Sequence, residues 1–214
     1  MQKTRVVHLT IVHKRYDSRI FCKECISLSE AGYDVSLIVA DGLGNETKQG
    51  VKIIDVGRAE ASRIKRMIRT SRKAVDMALG MNADIYHFHD PDLLIEALRL
   101  RKKACVIFDS HEDFPALMKQ RDYIPDFARK VLFRLCTLIE QYSAKRLSAV
   151  VCATETIQDK FARYGNIRAV VVKNYPVFSS CESETTNSYD TMKPVCYVGG
   201  LTALRGVKPA TRQE

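Results

Sequence analysis

Short apolar runs alternate along the chain with longer segments in which apolar residues recur at helical spacing. The runs predict strands at 6–12, 33–40, 51–56, 84–88, 104–109, 149–153 and 168–172. The periodic segments predict helices at 19–31, 62–79, 92–101, 126–146 and 156–164. Most of the strand segments are continuously apolar, which is typical of strands buried on both faces. The pattern therefore predicts an α/β fold, a Rossmann-like doubly wound and mostly parallel sheet with helices on both faces.

Local signals mark the ends of the first helix and of the first domain. Asp17 or Ser18 is the expected N-cap of helix 19–31, and Gly32 follows its end. Residues 176–193 are polar and predict a linker, so 1–175 form the first predicted domain. Residues 194–214 open with an apolar strand followed by two glycines, which indicates the start of a second Rossmann unit.

Composition narrows the class of protein. Hydrophobic residues make up 46% and charged residues 28%, as in soluble globular proteins. No apolar run approaches the roughly 20 residues of a membrane span, and no signal peptide is recognisable. The seven irregularly spaced cysteines favour a reducing cytoplasm, and we interpret Cys22 and Cys25 as structural rather than as a redox or zinc pair. The net charge of +9 favours an anionic partner such as nucleic acid, a phosphorylated ligand or a membrane surface.

Unusual chemistry follows three of the predicted strands. Four of the five histidines lie there. Ligands of parallel α/β sheets bind at the carboxyl ends of the strands, so we expect these residues to meet at one edge. The candidates are His13, Arg15, Tyr16, Asp17 and Arg19 after the first strand, His89 and Asp90 after the fourth, and His111, Glu112 and Asp113 after the fifth.

Imidazole and carboxylate groups bind sugar hydroxyls, transfer protons or hold metal ions. A zinc or manganese hydrolase built on His89, Asp90, His111, Glu112 and Asp113 is one alternative, although no strict ligand spacing supports it. Four neighbouring residues have simpler interpretations. We expect His8 and His87 to be core residues, Asp92 to cap the helix that Pro91 opens, and Asp109 to cap the turn after its strand.

Several ordered segments together resemble bacterial glycosyltransferases of family 4. They are HLTIVHKRYDSRIFCKECISLSEAGYDVSLIVAD, ADIYHFHDPDLL, VIFDSHEDFP, VCATETIQDKF, VVKNYP and CYVGGLTALRG. The resemblance implies the GT-B fold, in which an N-terminal domain holds the acceptor and a C-terminal domain holds a UDP- or GDP-sugar. It implies retaining sugar transfer to a glycan or lipid-linked acceptor in surface polysaccharide synthesis, with no cofactor and no metal.

The resemblance also implies residue roles. His111 matches the family's sugar-contacting histidine, with Glu112 and Asp113 beside it as catalytic candidates. The loop 13–19 and the pair His89 and Asp90 would line the acceptor cleft. Gly199 and Gly200 would approach the donor diphosphate, and Arg205 would neutralise it.

The C-terminal sequence departs from the family. After Gly206 the chain ends in the polar stretch VKPATRQE, where a periodic helix is expected. The family's paired glutamates, which grip the donor, have no counterpart. The hypothesis is therefore that this chain alone transfers little or no sugar. A non-catalytic binding subunit that works with a separate C-terminal half is the main alternative.

Two predicted helices are strongly basic. Residues 58–73 place seven Lys and Arg residues opposite Ile64, Met67 and Ile68, a pattern that suits an anionic membrane surface but also a solvated face over a core stripe. On helix 126–146 we expect the apolar residues Val131, Leu135, Leu138 and Tyr142 to pack in the core. No nucleic-acid motif is present. The expected location is the cytoplasm, with peripheral contact at the inner face of the plasma membrane.

Overall fold

The computed structural model describes residues 3–119 and 124–175, and their strands form one sheet. In the described residues the sheet has eight strands in the order β3-β4-β2-β1-β5-β6-β7-β8. Neighbouring strands are parallel except β3 and β4, which are antiparallel. The strands are β1 (Arg5–Leu9), β2 (Asp34–Val39), β3 (Glu46–Lys48), β4 (Val51–Asp55), β5 (Ile85–Phe88), β6 (Cys105–Ser110), β7 (Ala149–Cys152) and β8 (Ala169–Val171).

All seven strands predicted within the described residues are present, which confirms the Rossmann-like class. The short strand β3 was not predicted, because its three residues are polar and lie at the edge of the sheet. The strand and glycine pair predicted after residue 193, and the linker before them, lie outside the described residues.

The helices connect successive strands. The first, α1, has a π-helical part (Ile20–Cys25) and an α-helical part (Ile26–Glu30). The second, α2, runs through Arg63–Lys65, a π-helical Arg66–Thr70 and Ser71–Met81. The others are α3 (Phe114–Lys119), α4 (Asp126–Ala144) and α5 (Glu155–Arg163). The helix predicted at 92–101 is instead two 3-10 helices, Pro91–Leu93 and Glu96–Lys102, and α3 was not predicted.

The predicted ends of α1 are confirmed. The Asp17 carboxylate accepts hydrogen bonds from the backbone N–H groups of Arg19 and Ile20, at 2.9 and 3.0 Å. These are donors that the first turn of a helix leaves without partners. At the other end Gly32 has φ +93°, a left-handed conformation in which glycine avoids the strain of a side chain.

Helices cover both faces of the sheet. On one face α1 packs Ile20, Phe21 and Cys25 against β2 and β4. On the other face Phe88 and Phe108 form the centre of a larger core with residues from α2 and α5. The core strands are therefore buried on both sides, as their continuous apolar sequences indicated.

The prediction that the apolar residues of 126–146 pack in the core was wrong. Val131, Leu135, Leu138 and Tyr142 of α4 are 49–61% exposed, and Phe127 is 80% exposed. The opposite side of the helix is the buried one: Glu140 is fully buried and pairs with Lys160 of α5 at 2.9 Å and with Tyr164, the residue after α5, at 2.8 Å. Helical periodicity identified the apolar face correctly but gave no information about whether another element covers it.

The strand order reverses its direction between β1 and β5. β1 pairs with β2 on one side and with β5 on the other, so the connections diverge between β1 and β5. Such a switch point leaves a crevice outside the carboxyl ends of its two strands. The described part of the chain contains no helix long and apolar enough to cross a membrane.

Candidate functional site

A cavity of about 360 Å³ opens at the carboxyl ends of β1, β5 and β6. It therefore lies at the switch point of the sheet. Five of the predicted site residues line it: His13, His89, Asp90, His111 and Glu112. The imidazoles lie close together, with ring centroids of His13 and His111 5.2 Å apart and those of His89 and His111 5.5 Å apart. Sequence reasoning thus identified most of the polar wall of this cavity.

The carboxylate of Asp109 organises the base of the site. It is fully buried and forms a two-pronged ion pair with Arg19, with Nε to Oδ2 at 2.9 Å and Nη2 to Oδ1 at 3.0 Å. Burial alone raises the pKa of Asp109, but hydrogen bonds from His111, His89 and Arg19 outweigh it and hold the pKa well below its usual value. The interpretation of Asp109 as a turn cap was wrong, because this side chain anchors the site instead.

Asp109 also fixes the orientation of two imidazoles. Its Oδ2 lies 3.1 Å from His111 Nε2 and 3.4 Å from His89 Nδ1. Because an ionised carboxylate only accepts, we assign the proton of each neutral ring to these nitrogens. Nδ1 of His111 is then a lone-pair acceptor, and the ring keeps 18% of its side-chain surface exposed at the cavity. His111 is therefore positioned to accept a hydrogen bond from a ligand hydroxyl.

Asp90 lines the cavity but is 1% exposed, and it mainly holds the loop after β1. Its Oδ2 accepts from Thr10 Oγ1 at 3.0 Å and from the backbone N–H of Val12 at 3.2 Å, and also from that of Ile11. Its Oδ1 lies 3.4 Å from His13 Nε2. Asp90 therefore sets the position of His13, which is the more exposed group of the two.

Arg15 and Tyr16 lie away from this cavity. Arg15 is 7% exposed and pairs in a two-pronged manner with Asp41 at 2.7 and 2.6 Å. Arg15 also pairs with Glu46, to which Tyr16 donates a hydrogen bond at 2.7 Å. Arg15 thus joins the loop after β1 to the loop after β2 and to β3, and Tyr16 joins the same loop to β3. Neither side chain lines the cavity.

Of the other predicted acidic residues, Glu112 lines the cavity, whereas Asp113 and Asp17 cap helices. Glu112 is exposed at the cavity. Asp113 turns aside, since it caps the start of α3 and pairs with Lys160 at 3.3 Å. Asp17 caps α1 and lies with Arg19 and His111 around a shallower neighbouring depression. The five residues proposed for a hydrolase metal therefore do not form one ligand shell, because Asp90 and Asp113 are engaged elsewhere.

A second charged group on the cavity wall was missed. Arg63 and Arg66 of α2 both contact the buried Asp92 carboxylate, Arg63 Nη2 at 3.2 Å and Arg66 Nη2 at 2.8 Å. Asp92 was interpreted as a helix cap, which was wrong because no cap hydrogen bond is present at that helix. Two guanidinium groups face one carboxylate, so this part of the wall carries one excess positive charge. In the sequence, the neighbouring Pro91 indicated the start of a helix, and Asp92 was therefore interpreted as its cap.

The predicted donor-phosphate residues Gly199, Gly200 and Arg205 lie outside the described residues. Their roles remain predictions from the sequence.

Comparisons with known proteins agree with this architecture. The family model for Glycosyltransferase Family 4 matches residues 23–174. No curated protein matches. A solved structure of sucrose-phosphate synthase from Thermosynechococcus elongatus is similar, with a TM-score of 0.59 and 11% identity over 80% of this chain and 48% of that chain.

A second structure of that enzyme has a TM-score of 0.55 and 10% identity, and covers 80% of this chain and 90% of that chain. This chain thus spans about half the length of the first structure. At such low identity the likeness shows the fold alone, and this fold is the Rossmann-like architecture of GT-B glycosyltransferases. The family model, by contrast, matches most of the sequence. The chain belongs to glycosyltransferase family 4.

Proposed function

We propose that this protein is the acceptor-binding part of a retaining glycosyltransferase that moves a sugar from a UDP- or GDP-sugar to a glycan or lipid-linked acceptor. The observation that carries the proposal is the cavity at the β1–β5 switch point, in which His13, His111 and Glu112 present hydrogen-bonding groups. Sugars are recognised through their hydroxyl groups, and imidazole and carboxylate are suited to bind them.

His111 is the residue we propose to contact the sugar. Its Nδ1 accepts from a sugar hydroxyl, while its Nε2–H is held by Asp109 at 3.1 Å. Arg19 keeps Asp109 ionised through its two-pronged pair, so the histidine keeps one orientation. Asp109 and Arg19 are therefore positioning residues. His13 and Glu112 complete the polar wall, and Asp113 supports the helix behind it.

The positive charge at Arg63 and Arg66 favours an acceptor that carries phosphate. Arg63 keeps 36% of its side-chain surface exposed and lines the cavity. It can therefore contact an anion while its ion pair with Asp92 holds the guanidinium group in place. Guanidinium groups match phosphate oxygens in geometry and charge. This supports a lipid-linked phosphate acceptor over a neutral glycan.

The donor is assigned from the sequence. We propose that Gly199 and Gly200 bring backbone N–H groups to the diphosphate and that Arg205 neutralises the leaving group. The reaction would belong to surface polysaccharide synthesis in the cytoplasm, and a separate C-terminal half is a candidate partner.

Peripheral contact with an anionic membrane fits this acceptor class. In the segment 58–73, Ile64 and Ile68 are 70% and 61% exposed, next to the exposed Arg69 and Lys65. The exposed apolar stripe of α4, defined as Phe127, Val131, Leu135, Leu138 and Tyr142, offers a second apolar surface to lipid.

The test uses the purified 214-residue chain with a panel of UDP- and GDP-hexoses and polyprenyl diphosphate-linked saccharides. Release of UDP or GDP reports transfer, and equilibrium binding reports acceptor recognition. We expect His111→Ala to weaken saccharide binding about tenfold or more, because it removes a hydrogen bond to a polar ligand. Arg101→Ala, an exposed change away from the cavity, is the matched control.

The outcomes separate the alternatives. Transfer by the purified chain establishes an enzyme, whereas saccharide binding without nucleotide release favours the non-catalytic subunit of a split transferase. Equal saccharide binding by the wild type and His111→Ala would show that His111 does not contact the sugar. Arg63→Gln should weaken the binding of acceptors that carry phosphate and leave the binding of neutral acceptors unchanged.

A further inference from the structure

A second polar cluster lies beneath the cavity, between the sheet and α1. The buried histidine cluster consists of His8 on β1, His87 on β5, His89 just after β5 and Glu24 on α1. His8 and His87 are register partners across β1 and β5, and His89 follows two residues later on the same face. Each residue offers one ligand atom, and the four atoms lie within 4.8 Å of one another.

The four side chains satisfy one another only in part, because His8 and His89 share a hydrogen bond of 3.0 Å between Nδ1 and Nε2 whereas Glu24 has no such bond within the cluster. Glu24 Oε2 lies 3.9 Å from Nδ1 of His8, 3.9 Å from Nδ1 of His87 and 3.8 Å from Nε2 of His89. These distances exceed hydrogen-bond length. Within the described part of the chain, Glu24 Oε2, His8 Nε2 and His87 Nε2 are buried and lack a hydrogen-bond partner. Of these three atoms, Glu24 Oε2 is the one that faces the ligand atoms of the other side chains, and a buried oxygen without a partner is destabilising, so the cluster is incomplete as it stands.

The spacing indicates what would complete it. Around a tetrahedral zinc ion with bonds of about 2.0–2.2 Å, ligand atoms lie roughly 3.3 Å apart. Around a bridging water with hydrogen bonds of about 2.8 Å, they lie roughly 4.6 Å apart. Glu24 Oε2 lies 3.8–3.9 Å from the other three ligand atoms, and a bound ion would replace the hydrogen bond between His8 Nδ1 and His89 Nε2. These values lie closer to the separation around a metal ion than to that around a water molecule.

Two ligands also have the outer partners that metal ligands require. His89 Nδ1 faces the Asp109 carboxylate at 3.4 Å, which leaves Nε2 directed at the cluster. Glu24 Oε1 is held by Arg19 Nε at 3.1 Å, which leaves Oε2 free to point inward. At protein metal sites, a ligating histidine usually bonds through its other nitrogen to a carboxylate, which fixes the orientation of the ring.

We propose that His8, Glu24, His87 and His89 form a structural site for a divalent transition metal of the zinc class. Four protein ligands close the coordination sphere, which is characteristic of structural rather than catalytic zinc sites. The ion would join β1, β5 and α1 directly beneath the cavity and fix the Asp109–His89 contact. The site is separate from the sugar-transfer chemistry and does not depend on the proposed function.

The test is a cobalt(II) titration of the tag-free chain after removal of metal with a chelator. Four-coordinate cobalt(II) has intense visible absorption. We expect one equivalent to bind, zinc to displace it, and the melting temperature to rise with metal concentration. Asp109→Asn should weaken binding 10–100-fold, because it removes the outer partner of His89.

Glu24→Gln and His87→Asn should each abolish the four-coordinate spectrum. His87 keeps 12% of its side-chain surface exposed, whereas His8 and His89 keep none, so its variant preserves the test if Glu24→Gln does not fold. Cys22→Ser, which removes an exposed thiol, is the matched control and should bind cobalt normally. Absence of cobalt and zinc binding by the wild type, or full binding by both ligand variants, overturns the proposal.

Discussion

At the residue scale, several charged side chains near the strand ends support loops and rings rather than contact solvent. Arg15, Arg19 and Asp90 lie in the segments that the sequence marked as functional, yet all are at most 7% exposed. Each holds a strand-end loop or a ring in place. Residue type and position at a strand end therefore identified the site region but not which residue contacts a ligand and which positions it.

The pair of Arg19 and Asp109 should be essential to stability. Arg19→Met leaves the fully buried Asp109 without its main cation, and we expect a loss of about 3–5 kcal/mol in the free energy of unfolding. Urea denaturation measures it. The double variant Arg19→Met/Asp109→Leu should recover part of the loss, since it leaves no unpaired charge. A loss below about 1 kcal/mol in the single variant would show that the pair is not formed as described.

The pair of Arg15 and Asp41 should make the free energy of unfolding depend on pH in the acidic range. The Arg15 hydrogen bond lowers the pKa of Asp41. A carboxyl with a lowered folded-state pKa contributes stability above its unfolded pKa of about 3.9, and that contribution is lost as the pH falls toward the folded value. We expect Arg15→Met to cost about 2 kcal/mol at pH 7 and less at pH 3. Urea titrations at both pH values give the difference, and an equal cost at both would contradict the assignment.

At the element scale, periodicity predicted the major helices and strands, while short elements depended on contacts that no local pattern records. The 3-10 helices Pro91–Leu93 and Glu96–Lys102 replace a predicted α-helix, and β3 exists through its pairing with β4. Asp109 was misread for the same reason, because its partner Arg19 is 90 residues away in the sequence.

The exposed apolar stripe of α4 should bind anionic lipid. Leu135→Gln/Leu138→Gln should lower co-sedimentation with phosphatidylglycerol vesicles several-fold, and Arg69→Gln/Arg72→Gln should lower it through lost attraction. Arg66 is unsuitable for this test, because it pairs with the buried Asp92. Leu43→Gln, an exposed apolar residue in another loop, is the control. Equal sedimentation by all variants, or equal binding to neutral phosphatidylcholine vesicles, would refute the membrane contact.

At the scale of the whole molecule, fold and family are better determined than substrate. The doubly wound sheet followed from the alternation of strands and helices, and the family model matches residues 23–174. Similarity to sucrose-phosphate synthase at 11% identity supports the architecture. Substrate identity depends on a few contacts at a binding site, which neither periodicity nor fold encodes.

We propose that the cavity at the ends of β1, β5 and β6 binds the saccharide substrates. The most direct test is nuclear magnetic resonance of the isotope-labelled chain during titration with UDP- and GDP-hexoses and acceptor saccharides. We expect the ring resonances of His13 and His111 to shift first and saturably, and His111→Ala to weaken the response of His13. Saturable shifts confined to another surface, or no shift at millimolar ligand, would contradict it.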